Sequence, residues 1–270
     1  GVSRNVVEDI ANMELRPTFL SIVDESAMGD AVVRKLNNHK VNTEYIQSAP
    51  NGMGTWLAVF DNNGDLAGSI SQRPDLMPLL DVLEKKGDEI FANADSIIIE
   101  VDVDKEIVKK VVELCEKHQK KLYGVVSNMS IAVERRDFLQ KFDCFICNQL
   151  EAGMFFADDF SETAPKELAE ILAKKLQLAK IPSMVVTMGG AGSVYADMKG
   201  KKGFCPAKKV QVKDTTGAGD AFCAGVSSGL TYGKTLAESV EIGTRLAASV
   251  ITSSENVCPR FLPGELGIEA

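Results

Sequence analysis

Apolar positions in the first forty residues fall mostly at helical spacing. Val6, Val7, Ile10 and Met13 share one side of a helix predicted over 3–13; a strand follows over 17–23 and a second helix over 30–39. Between 41 and 72 the period shortens. Thr55-Trp56-Leu57-Ala58-Val59-Phe60 reads as a strand, Asp61-Asn62-Asn63-Gly64 as a tight turn, and 66–71 as a return strand. A small antiparallel β flap is therefore expected within 41–72.

Beyond Pro78 helices and strands alternate. Helices predicted over 79–93, 104–119, 131–141 and 165–179 lead into strands over 96–101, 121–127, 143–148 and 183–188. Ser96-Ile97-Ile98-Ile99 and Met184-Val185-Val186 are apolar at consecutive positions, as strands covered on both faces require. Repeated units of this kind predict an α/β fold, a doubly wound, mostly parallel sheet flanked by helices. A second hairpin is expected over 193–213, turning at Lys199-Gly200-Lys201, and helices over 219–230 and 236–253 close the chain. All of this fits one domain spanning 1–270. Ligands of such sheets bind at the carboxyl ends of the strands, where Asn148, Gly189-Gly190 and Asp214 fall.

Composition narrows the function classes. Apolar residues make up 45% of the chain, enough for a full core, and the formal charge of −8 argues against a nucleic-acid polymer as partner. The sequence shows no secretory leader and no apolar run of membrane-spanning length, so a cytoplasmic, membrane-free protein is expected. Six cysteines (115, 144, 147, 205, 223 and 258) lie in apolar runs and read as reduced core thiols. Cys144 and Cys147 have C-x-x-C spacing, but residues three apart on a strand point to opposite faces and cannot easily share a metal. With only His39 and His118 present, both in lysine-rich surface stretches, histidine metal sites and triads are not expected. The chain opens on Gly1 directly within a helix pattern, and preceding N-terminal sequence is expected.

The chemistry concentrates at Asp214-Thr215-Thr216-Gly217-Ala218-Gly219-Asp220, where a strand pattern over 209–213 gives way to a helix. Side chains this small let backbone N–H groups at a helix N-terminus approach an anion, and the helix dipole favours negative charge there. Asp220, on the first turn beside that cradle, is placed to accept a hydroxyl proton. An anion cradle with an adjacent carboxylate suits phosphoryl transfer to an alcohol. No G-x-x-x-x-G-K-[ST] run occurs, so the cradle is not of the Walker type. Read without its flanking acids, Gly217-Ala218-Gly219 is better taken as a close-packing turn, and Asn148 alone as a simple helix cap.

The Asp-Thr-x-Gly-Ala-Gly-Asp run with its small, apolar helix resembles the signature of the ribokinase-like (PfkB) sugar and nucleoside kinases. The resemblance implies Asp220 as general base, the N–H groups of Gly217, Ala218 and Gly219 as anion hole, and Asp214 as a substrate contact. Three further motifs follow in family order. Asn148-Gln149-Leu150-Glu151 is similar to the family's Asn-x-x-Glu, which implies ATP binding by Asn148 and Glu151, with Glu151 reaching Mg²⁺ through water. Thr187-Met188-Gly189-Gly190-Ala191-Gly192 is similar to the loop over the ATP phosphates, which implies Thr187, Gly189, Gly190 and Gly192 as cofactor contacts. Gly1-Val2-Ser3-Arg4-Asn5 resembles the end of a substrate motif and makes Gly1 and Asn5 substrate contacts.

Implied with the family are ATP and Mg²⁺, a K⁺ ion near the loop after Asp214, a small sugar or nucleoside acceptor, a homodimer, and an upstream first strand with a further substrate contact. Within the family the opening segment, the flap strand with its turn, and 123–142 look most like the bacterial pseudouridine kinases, implying transfer to the 5′-hydroxyl of pseudouridine. Departures concentrate on the acceptor side. Gly124-Val125 followed by Val126-Ser127 replaces an Asp-Pro pair, Asp24 replaces a glycine, and Gln72-Arg73-Pro74 replaces an Asp-containing segment. Competing readings are a kinase for ribose, adenosine or fructose, a non-catalytic nucleoside or sugar regulator, and, more weakly, a dinucleotide-binding oxidoreductase.

Overall fold

The computed structural model describes residues 1–60, 62 and 66–270; the expected turn at 61–64 lies, apart from Asn62, outside the described residues. In chain order the elements are α1 (Val2–Asn12), β1 (Ser21–Val23), α2 (Ala27–Asn38), β2 (Ile46–Ser48), β3 (Thr55–Phe60), β4 (Leu66–Gln72), α3 (Pro78–Asn93), β5 (Ser96–Glu100), α4 (Lys105–His118) and β6 (Lys121–Val125). Two short helices, α5 (Met129–Ala132) and α6 (Arg136–Leu139), precede β7 (Cys144–Asn148), α7 (Gln149–Phe156), α8 (Pro165–Ala179), β8 (Ser183–Thr187), β9 (Ser193–Asp197), β10 (Lys202–Cys205), α9 (Ala218–Thr231) and α10 (Leu236–Ile251).

Six strands form the central sheet in the order β10-β9-β8-β7-β6-β5. The β5–β8 strands pair in parallel, while β9 and β10 add an antiparallel edge. Alternation along each strand sorts the core into two layers. Tyr123, Cys144, Ile146 and Val185 face Phe222 and Val226 of α9 and Val240 of α10. Leu122, Phe145, Cys147, Met184 and Val186 face the opposite layer, which includes Leu83, Val108, Phe155 and Leu172. Cys144 and Cys147 thus belong to opposite faces, as their spacing predicted. All six cysteines are free thiols, four of them buried.

Outside this sheet, β1 and β2 pair in parallel and β3 and β4 in antiparallel, the latter forming the expected flap. Leu57 and Ile70 lie directly opposite one another in the flap and are both exposed, as is Trp56. A cavity of about 570 Å³ runs along β5, the outer strand of the sheet, between Phe19, Leu79, Ile97 and Glu100.

Four local expectations are corrected. The strand placed over 17–23 pairs only at Ser21–Val23, with an isolated bridge from Thr18 to Asn42. The helix over 131–141 is two short helices joined by a 3₁₀ turn at Val133–Arg135. The second hairpin ends at Cys205, and the alternating residues 209–213 are exposed and unpaired. Finally, α7 (Gln149–Phe156) was anticipated only through Asn148 as a helix cap: mostly apolar apart from Gln149 and Glu151, it shows no helical period.

Gly124 has a packing explanation. A Cβ there would lie 2.8 Å from the Phe142 ring and 2.9 Å from Val101, so the strand admits no larger residue where an Asp-Pro pair was expected.

Candidate active site

The signature run folds as a turn onto α9. Gly217 caps that helix with φ at 82°, in the left-handed region that glycine adopts freely. A Cβ at this position would also lie 2.0 Å from the Asn256 carbonyl oxygen. Glycine is therefore required twice over, by backbone conformation and by close approach of the 256–258 segment. Asp214 stabilises the turn locally, its Oδ1 accepting the Thr216 N–H at 2.8 Å, and that bond holds its carboxyl below the usual range.

Ala218 N–H donates to the Thr215 carbonyl at 3.2 Å, so it is already occupied within the turn. Among the described residues no backbone acceptor meets the N–H groups of Gly217 or Gly219. A Cβ on Gly219 would meet nothing within 4 Å, so the space in front of the helix start is open. The donors offered at this N-terminus are thus Gly217 and Gly219, assisted by the helix dipole.

Asp220 stands on the first turn of α9, and Asn5 Nδ2 donates to its Oδ2 at 2.7 Å. Burial raises the Asp220 pKa, and the Asn5 bond opposes that shift. Asn5 is itself buried and held, its Oδ1 accepting from Arg4 Nη2 at 2.7 Å and from Asn256 Nδ2 at 3.4 Å. Gly1 is the N-cap of α1, its carbonyl accepting the Asn5 N–H at 3.1 Å.

A second group lies at the ends of β7 and β8, where Asn148 and Thr187 are register partners. Asn148 caps α7: its Oδ1 accepts the Glu151 N–H and Glu151 Oε2 accepts the Asn148 N–H, each at 2.8 Å. The capping role is therefore real, and it also aims the Glu151 carboxyl at the strand ends. Burial raises the Glu151 pKa, and the nearby Asp102 carboxylate adds to the rise. Gly189, Gly190 and Gly192 form the connection from β8 to β9. Gly189 (φ 55°) and Gly190 face open space, while a Cβ on Gly192 (φ 104°) would strike the Cys205 carbonyl at 2.2 Å.

Two residues near the site, Glu100 and Asp102, carry no motif that the sequence singled out. Glu100 ends β5, and its Oε1 accepts from Ser3 N at 2.8 Å and Ser3 Oγ at 2.5 Å. Its charge acts on Asp220, raising that group's pKa. Asp102 lies buried just beyond, against Arg73, Ser127 and Asn128. An acid ending a parallel strand beside the loop region was the available signal for Glu100.

Among the described residues no group of three His, Cys, Asp or Glu side chains is arranged to hold a metal ion. That fits Mg²⁺ carried largely by nucleotide phosphates and water, because this ion needs only one or two protein carboxylates. Glu151, just past the end of β7, is the carboxylate that would be available to such an ion.

The family model for pfkB family carbohydrate kinases matches residues 1–258. The chain belongs to that family. Among curated proteins it is similar to guanosine-inosine kinase of Exiguobacterium acetylicum, 34% identical over 258 residues, which is 95% of this chain and 84% of the relative. It is also similar to Escherichia coli pseudouridine kinase, 24% identical over 89% of this chain and 75% of the relative. Of solved structures, Arabidopsis thaliana ribokinase complexed with ribose and ATP superposes with a TM-score of 0.82 at 19% identity, over 98% of this chain and 86% of that one. This pfkB kinase thus has the ribokinase-like fold and acts on the sugar and nucleoside class of acceptor. No helix among the described residues is long and apolar enough to cross a membrane.

Proposed function

We propose that this kinase transfers the γ-phosphoryl group of ATP to the 5′-hydroxyl of a nucleoside, with Asp220 as general base. The observation that carries the reading is the half-buried Asp220 carboxylate, oriented by Asn5 at 2.7 Å on the first turn of a helix where the Gly217 and Gly219 N–H groups meet no backbone acceptor among the described residues. A purine nucleoside, guanosine or inosine, is the first acceptor to test, because the 34% identical relative is a guanosine-inosine kinase. Pseudouridine, suggested by the flap and the opening segment, is the second, supported by the 24% identical relative.

In this reading Asp220 accepts the hydroxyl proton as the oxygen attacks phosphorus. The N–H groups of Gly217 and Gly219 stabilise charge on the transferring phosphoryl oxygens. Since such transition states are loose, positioning and electrostatics contribute more than proton removal. Glu100 and Asn5 hold the sugar end of the acceptor, and Asp214 shapes the turn beneath it. Thr187, Gly189, Gly190 and Gly192 line the phosphate path, with Asn148 and Glu151 at its Mg²⁺ end. Mg²⁺, when bound, offsets charge on the leaving diphosphate, and a K⁺ ion near the turn after Asp214 would steady the anion hole.

The 41–72 region acts as a lid that excludes water and limits wasteful ATP hydrolysis. A two-stranded hairpin is marginal alone, and the paired, exposed Leu57 and Ile70 give it an apolar face for a second copy of the chain in a homodimer. A reducing, cytoplasmic location suits the six free thiols. The acceptor is tested by identifying the phosphorylated product after incubation with ATP, Mg²⁺ and each of guanosine, inosine, pseudouridine, adenosine, ribose and fructose. A nucleoside 5′-monophosphate as the main product supports the reading; a phosphorylated free sugar in preference to every nucleoside overturns it.

A further inference from the structure

Two of the departures seen in the sequence, Arg73 and Ser127, meet at one buried carboxylate. The Asp102 side chain is fully shielded from solvent. Its Oδ2 accepts from Arg73 Nη2 at 2.5 Å, Ser127 Oγ at 2.8 Å and Asn128 N at 3.1 Å, and its Oδ1 accepts from Ser127 N at 3.0 Å. Arg73 Nη1 reaches the Asp102 carbonyl at 3.0 Å. The guanidinium is therefore gripped in two places, although Arg73 itself belongs to the stalk that follows β4 of the flap.

Ser127 extends the contact inward. Its hydroxyl lies 3.2 Å from Glu100 Oε2, while Glu100 Oε1 holds Ser3 on the first turn of α1. Asn5, half a turn further on, holds Asp220. Ser127 is thus the link between the flap stalk and α1: its N–H holds Asp102 Oδ1, its single hydroxyl proton is shared between Asp102 and Glu100, and Glu100 holds Ser3 on the helix that carries Asn5. Withdrawing the guanidinium would strand a buried carboxylate without its cation, which is strongly unfavourable. The stalk is pinned at Arg73 while the strands beyond it project into solvent.

We propose that Arg73 is a positioning residue that sets the flap in register with the acceptor-holding Glu100, so that the flap shields the acceptor only when the Arg73–Asp102 contact is made. This rests on the acceptor site proposed above. The flap carries its own reporter, because Trp56 on β3 is the only tryptophan of the chain.

The test compares the wild type with Arg73→Gln, Arg73→Lys and Ser127→Ala. It reads acrylamide quenching of Trp56 with and without inosine, the KM for inosine and for ATP, and ATP hydrolysis without acceptor. Pseudouridine replaces inosine if inosine is not phosphorylated. In the wild type the acceptor should reduce quenching of Trp56. In Arg73→Gln this protection should need roughly tenfold more acceptor or vanish, and the acceptor KM should rise by a similar factor with the ATP KM within about twofold. Acceptor-independent hydrolysis should increase relative to transfer, and Arg73→Lys, which keeps the charge, should recover part of the protection.

Equal protection of Trp56 in wild type and Arg73→Gln would overturn the proposal, as would a loss of kcat with both KM values unchanged. Absence of any acceptor effect on Trp56 in an active wild type would do the same. Should Arg73→Gln not fold, Arg73→Lys and Ser127→Ala carry the same comparison. Failure of the wild type to phosphorylate any nucleoside would instead strike the functional reading, which separates the two.

Discussion

Asn5 and Asp220, 215 positions apart in the chain, are joined by a hydrogen bond of 2.7 Å from the amide Nδ2 to the carboxylate Oδ2. The bond ties the first helix of the chain to the first turn of α9 and orients the carboxylate proposed as general base. It also favours the ionised form of Asp220 against the effect of burial. Asn5→Ala should therefore raise the Asp220 pKa. Because a base must be ionised to act, activity falls as pH drops through that pKa, so the acidic limb of kcat/KM should move to higher pH. A loss of about tenfold or more in kcat near neutrality is expected alongside it. An acidic limb unchanged in Asn5→Ala would show that this bond does not tune the base.

Gly217 and Gly219 should respond oppositely to alanine. At Gly217 the new Cβ meets the Asn256 carbonyl and the backbone has positive φ, so Gly217→Ala should lower both Tm and activity. At Gly219 the site is open and helical, so Gly219→Ala should keep or raise Tm, with helix propensity contributing up to about 1 kcal/mol. Its added methyl stands where the phosphoryl group would approach, and kcat should still fall by orders of magnitude. Calorimetry with turnover measurements on the two variants checks this contrast.

Asp9 makes a stability prediction with a definite sign. Burial raises its pKa to about 7 even though Oδ1 accepts the Cys258 N–H at 2.6 Å, and Oδ2 meets no hydrogen-bond partner among the described residues. The native state then holds more protons than the unfolded chain between pH 4 and 7, so this group's contribution to stability declines as pH rises through that window. Asp9→Asn keeps the Oδ1 acceptor and removes the charge. Its stability relative to wild type should rise by roughly 3 kcal/mol between pH 5 and pH 8. Equal differences at the two pH values would show that Asp9 is not the group that titrates.

Metal removal should affect turnover and leave the fold unchanged. With no cluster of three protein ligands among the described residues, a chelator should abolish phosphoryl transfer reversibly and leave Tm in the absence of ATP unchanged. A chelator-induced fall in Tm would indicate a structural metal.

Much of this arrangement was legible in the sequence because it depends on local rules. The parallel strands announced themselves as consecutive apolar residues, and the signature run marked the N-terminus of α9 within a residue. What escaped had no period or was set by tertiary contact. Residues 209–213 alternate like a strand but find no partner strand, and α7, mostly apolar, shows no helical period. Glu100 offered only the weak signal of an acid at a strand end, because its meaning depends on Ser3 and Asp220, which are brought beside it by folding. Ala218 was assigned to the anion hole by its place in the motif, yet its N–H is occupied by Thr215 in the turn. Arg73 and Ser127 were noted as separate oddities, and only the sheet shows that they share Asp102.

The central claim is that Asp220 drives phosphoryl transfer to a nucleoside hydroxyl. The most direct test follows radiolabel from the γ-position of ATP into inosine and guanosine with wild type and Asp220→Asn, alongside the ATP affinity and Tm of both. The account predicts labelled 5′-monophosphate from the wild type and a loss of several orders of magnitude in Asp220→Asn, with ATP binding and folding retained. Comparable transfer by Asp220→Asn would contradict it.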